Sequence, residues 1–79
     1  MSPTVFRWKR YRFHFFSREE ERMHVHVYCA DGEAKFWLSP DVSLARNHGL
    51  KSSQISELGK VVEEHRDEIT SAWREHFGR

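Results

Sequence analysis

A single cysteine, Cys29, leaves this chain without an internal disulfide. Lacking a disulfide scaffold, its 79 residues must be held together by one small hydrophobic core. No apolar run approaches the roughly 18 residues of a membrane span. Met1-Ser2-Pro3-Thr4-Val5 also lacks the apolar stretch of a signal peptide, so the expectation is a cytosolic protein with no membrane partner. Net charge is only +1, and overall charge therefore gives no reason to expect nucleic-acid binding. Acid is missing from residues 1–18, which carry Arg7, Lys9, Arg10, Arg12 and Arg18. One end of the chain is basic, which permits a local anion-binding surface.

What is present is aromatic and alternating. Thr4-Val5-Phe6-Arg7-Trp8 and Tyr11-Arg12-Phe13-His14-Phe15-Phe16 read as two strands joined at Lys9-Arg10. A two-residue loop there puts Phe6, Trp8, Tyr11, Phe13 and Phe15 on one face. Ser17 to Arg22 reads as a charged loop. His24-Val25-His26-Val27-Tyr28 and Ala34-Lys35-Phe36-Trp37-Leu38 form a second hairpin around Asp31-Gly32, a dipeptide suited to a type I′ turn. That loop would pair Tyr28 with Lys35, Val27 with Phe36 and His26 with Trp37. Val25, Val27, Cys29, Ala34, Phe36 and Leu38 then face a core, with His24, His26, Tyr28, Lys35 and Trp37 opposite.

After Pro40, residues 42–48 read as a short helix closed by Gly49. Ser52 or Ser53 would cap a long helix whose apolar stripe is Ile55, Leu58, Val62, Ile69, Ala72 and Trp73, with His65 continuing it and Gly78 as its stop. The expected architecture is α+β. A four-stranded antiparallel sheet of two β-hairpins (strands about 4–8, 11–16, 24–30 and 33–38) is followed by helices at about 42–48 and 53–77. The long helix can cover only one sheet face.

The uncovered face carries the candidate chemistry. His24 and His26 are the residue types that exchange protons near neutrality. Arg12 and Lys35 can stabilise phosphoryl charge, which makes these four the candidate catalytic set. Tyr28 and Trp37 can stack a base or anchor a partner, with Glu33 beside the turn. His-x-His is half of a metal site, and His14 or Glu33 could add a ligand. The lone cysteine on the other face argues against a closed zinc site, so no metal and no cofactor is expected. Leu44 to Ile55 echoes a helix-turn-helix, with Ser53, Gln54 and Lys51 placed to read DNA. The reading with the fewest chemical demands is a binding module without catalysis. Its open sheet face and edges would take a partner or a second copy of the chain, with Trp8, Trp37 and Phe16 as anchors.

Pro3-Thr4-Val5, Tyr11-Arg12-Phe13, His24-Val25-His26-Val27, Gly32-Glu33-Ala34-Lys35-Phe36-Trp37-Leu38, Leu44-Ala45-Arg46-Asn47-His48-Gly49-Leu50 and the closing Ala72-Trp73 with Phe77-Gly78 together give a resemblance. The chain resembles a family of short bacterial proteins known as domain of unknown function 4160. It departs from the family in having Arg22-Met23 where a proline pair is usual, and Lys9-Arg10 in place of a glycine-rich first turn. Family genes often lie beside another small gene, in pairs that look like toxin–antitoxin modules. The resemblance therefore implies a bacterial, cytosolic protein with a small protein partner. Metal-independent RNA cleavage or RNA binding on the His24/His26 face is the alternative.

Overall fold

The computed structural model describes residues 4–16 and 22–78. Its elements are β1 (Thr4–Trp8), β2 (Tyr11–His14), β3 (His24–Cys29), β4 (Gly32–Trp37), β5 (Ser43–His48), α1 (Ser52–Glu64) and α2 (Arg66–Phe77). Strands adjacent in sequence are adjacent in space, giving an antiparallel meander in the order β1-β2-β3-β4-β5. The α+β architecture is as expected, but the sheet has five strands where four were expected.

The fifth strand replaces the short helix expected at 42–48. Seven residues are too few to hold a helix without tertiary support. As a strand, Ser43–His48 satisfies the β4 edge that would otherwise lie unpaired. The helix-turn-helix reading loses its first helix with this change. Gly49 does adopt a positive φ of 93°, but it ends a strand instead of a helix.

The β3–β4 register is displaced by two residues from expectation. Cys29 pairs with Gly32, Tyr28 with Glu33, Val27 with Ala34, His26 with Lys35, Val25 with Phe36 and His24 with Trp37. A slip of two keeps every side chain on its expected face. The turn centre is Ala30-Asp31, not Asp31-Gly32. Gly32 is needed for a different reason: a Cβ there would lie 2.3 Å from the His48 carbonyl oxygen. In the first hairpin Trp8 pairs with Tyr11, and Lys9 takes the left-handed conformation at φ 53°. β2 ends at His14, two residues short of the expected strand. The charged segment expected at 17–22 lies, but for Arg22, outside the described residues.

One face of the sheet meets the helices. Phe13, Val25, Val27, Leu58, Val62 and Ile69 are wholly buried there. Burying a side chain of this size contributes about 1.5–3 kcal/mol. Phe6 stacks on Phe13 at 4.4 Å and Trp8 on Tyr11 at 5.9 Å, so Trp8 belongs to the helix side and cannot anchor a partner on the other face. The expected single long helix is two. The break is at His65, at φ −104° and ψ 15°, whose ring packs on Phe6 at 4.6 Å. His65 Nδ1 lies 2.9 Å from the Glu68 carboxylate, and the residue is half-buried instead of being a core histidine. The α1 cap is Lys51, not a serine. Gln54 accepts its N–H at 2.9 Å and donates to the Tyr11 hydroxyl at 3.0 Å, tying helix start to sheet. Gly78 at φ 69° closes α2 as expected, its N–H bonding the Arg74 carbonyl.

Candidate functional site

The sheet face turned away from the helices is organised in cross-strand rows. Side chains directly opposite in neighbouring strands have Cβ atoms about 4.5–5.5 Å apart. One row runs Arg7, Arg12, Tyr28, Glu33, His48. The next runs His14, His26, Lys35, Arg46. A third holds His24, Trp37 and Ser43. Glu33 is the only acid in the five strands. Acids collect instead on the helices, where Glu57, Glu63, Glu64, Asp67, Glu68 and Glu75 are all exposed. The described structure is thus polarised, basic on its open sheet face and acidic on its helical layer.

The expected histidine pair, both members buried, is divided by surroundings. His24 is wholly buried. Its Nδ1 lies 2.7 Å from the Arg22 carbonyl, and its ring meets Trp73 at 5.0 Å and Trp37 at 5.7 Å. That setting is a packed corner where the start of β3 meets α2. His26 instead borders a pocket of about 40 Å³, together with His14, Phe16, Lys35 and Arg46. The His26 ring lies 5.0 Å from that of His24, 5.6 Å from His14 and 4.4 Å from Phe16. His14 and His26 are only 5% and 9% exposed, so a substrate reaches them through the pocket or not at all. Burial lowers the His14 pKa from its ordinary 6.5 to about 4, with the charges of Arg12 and His26 acting in the same direction. The Phe15 backbone and the Glu33 carboxylate oppose that shift. His14 is accordingly neutral at neutral pH.

Of the remaining expected residues, Lys35 sits in the same row as His26, its ammonium 4.5 Å from the centre of the Trp37 ring. Arg22 also lies against Trp37, at 4.2 Å. A cation at this distance from an indole is attracted by about 0.5–2 kcal/mol. Arg12 donates through Nε to the Thr4 hydroxyl at 2.6 Å, one row away from Lys35. Tyr28 is 51% exposed and Glu33 is exposed beside it. Trp37 is half-buried. The structure therefore groups His26, Lys35 and Glu33 around the pocket, leaves Arg12 and Tyr28 on the neighbouring row, and sets His24 and Trp37 at the corner. Sequence reasoning missed Arg46 and His48, which it had placed on a helix. The available signal was the spacing of Arg46 and His48, which β5 carries onto the open face, whereas a register shift at Lys35/Phe36 sets Leu44 opposite core-facing Phe36.

Among the described residues no group of three or more His, Cys, Asp and Glu could hold a metal ion. Among them, too, no helix is long and apolar enough to cross a membrane.

Fold and face together define an α+β domain with one sheet surface covered by helices and the other presented as a basic, aromatic-edged platform. The family comparison matches residues 11–74 to the domain of unknown function DUF4160, and the chain belongs to that family. No curated protein and no solved structure matches the chain.

Proposed function

We propose that this protein is one half of a bacterial, cytoplasmic, two-protein module of the toxin–antitoxin kind, and that it works by binding a small acidic protein on its open sheet face. The observation that carries this reading is the charge division across the fold. Five strands hold a single acid, Glu33, while Arg7, Arg12, Lys35, Arg46 and four histidines share its face. Complementary potentials select partners and speed their encounter. Exposed Tyr28 and Phe16 supply the aromatic contact that interface centres favour. The pairing of family genes with another small gene supplies the candidate partner.

A second reading has one observation in its favour. His26, Lys35 and Arg46 adjoin neutral His14, an arrangement of proton carriers and cations that suits RNA cleavage. The burial of His24 and the small pocket weigh against it.

Co-expression with the neighbouring gene product, followed by affinity purification, tests the first reading. Recovery of a stoichiometric complex from wild type, lost in Tyr28→Ala, is the expected result. Induction of the gene alone, beside His26→Ala, with total RNA run on a gel, tests the second. Growth arrest with RNA degradation that requires His26 would replace partner binding as the primary activity.

A further inference from the structure

β5 is the last strand of the sheet and, among the described residues, pairs only with β4. Its outer edge therefore presents backbone N–H and C=O groups with no strand beside them. Such an edge is a template on which another extended segment can add a strand. Ser43-Leu44-Ala45-Arg46-Asn47-His48 contains no proline to prevent this.

Beside the edge lies an open groove of about 340 Å³ between β5 and α1, with Phe36, Val42, Leu44, Ile55 and Gly59 in its lining. Leu44 is 45% exposed there, although it lies opposite core-facing Phe36. A bulge at Ala45 produces this arrangement. In an unbroken strand Leu44 and Arg46 would share a face. The extra residue turns Leu44 to the groove and Arg46 to the open face.

Gly59 is a second, separate observation. It stands inside α1, where glycine weakens a helix relative to alanine. Nothing in the packing demands it, since a Cβ there would meet only Phe36 Cε1, at an ordinary 3.8 Å. The missing side chain holds the groove open.

Charge selects the occupant. β5 carries Arg46 and no acid, so a second copy pairing along this edge would set basic strand against basic strand. Lys60 and Glu63 together leave the helical wall of the groove without net charge. The groove thus favours an apolar side chain. Exposed Arg46, joined by His48 when protonated, favours an acidic one on the opposite side. Glu33, paired with His48 one strand further in, is the opposing acid on that face.

We propose that the β5 edge binds, as an added strand, an extended segment of another protein in which apolar and acidic residues alternate. Its backbone continues the hydrogen-bond ladder, its apolar side chains enter the groove over Gly59, and its carboxylates meet Arg46. This inference does not rest on the partner-binding reading of the open face.

The test is amide proton–nitrogen NMR with hydrogen exchange on the purified full chain, titrated with a short synthetic peptide alternating leucine and glutamate. A control peptide has the same composition, with its leucines and glutamates in separate blocks. The expected result is saturable shifts in β5 and the facing side of α1, with slowed exchange of β5 amides. The block peptide should bind about tenfold or more weakly, and Gly59→Leu, which fills the groove with a good helix former, should have the same effect. Arg46→Glu, at an exposed position, should reverse the preference toward a peptide alternating leucine and lysine. Shifts that fail to saturate, equal binding of the two glutamate peptides, or an unchanged preference in Arg46→Glu would overturn the site. Slowed β5 exchange that depends on protein concentration without peptide would assign the edge to a second copy and overturn it too.

Discussion

His14 of β2 and His26 of β3 stack across the sheet, their ring centroids 5.6 Å apart and their planes 28° from parallel. Burial, with the charges of Arg12 and His26, disfavours the imidazolium of His14. His14 is therefore where solution pH should act on the fold most directly.

With His14 at about 4 in the folded protein against 6.5 ordinarily, the unfolded chain binds the proton first as pH falls. Stability from this group is complete at and above the ordinary value and is lost on descending through the folded one. Urea titrations across that window should show wild type losing about 1–3 kcal/mol more than His14→Gln. Equal pH dependence in the two proteins would show that His14 is not the titrating group.

Gly32→Ala should be severely destabilising. The new Cβ would press on the His48 carbonyl oxygen at 2.3 Å, and that oxygen is backbone that cannot swing aside. A loss of about 2–4 kcal/mol is expected by chemical denaturation, from the forced separation of the β3–β4 turn and the end of β5. A variant as stable as wild type would contradict the close approach.

Gln54→Ala should cost about 1–2 kcal/mol. Gln54 accepts from the Lys51 N–H at 2.9 Å and donates to the Tyr11 hydroxyl at 3.0 Å and the Asp31 carboxylate at 3.3 Å. One side chain thus caps α1 and fastens it to two parts of the sheet. Thermal unfolding should show the loss, and Tyr11→Phe should reproduce only a fraction of it.

Much of this arrangement was legible in the residues. Alternation assigned the faces of β2 to β4 and of β1 from Phe6 onward, failing at Val5, which a register shift packs against the core. The spacing of Leu58, Val62, Ile69 and Trp73 placed the helices on one of those faces. The β3–β4 register was misread because Asp31-Gly32 matches a turn signal, whereas Gly32 serves a contact with a strand that the local sequence does not reveal. β5 was misread because Leu44-Ala45-Arg46 has good helix propensity, and only the unpaired β4 edge overrides it. Missing β5 hid Arg46 and His48, and with them one wall of the pocket. His24 is set in a corner against Trp73 while His26 borders the pocket, and the His24–Trp73 contact joins residues 49 positions apart that no local pattern encodes.

The central claim is that the basic sheet face, not the acidic helical layer, carries the interaction. Isothermal titration calorimetry of the purified protein against the product of the neighbouring gene tests it most directly, using Arg7→Glu/Tyr28→Ala and Glu63→Lys/Glu64→Lys, all at exposed positions. The account predicts saturable binding by wild type, a loss of about a hundredfold or more in the first variant, and little change in the second. No binding by wild type, or a loss confined to the helical variant, would contradict it.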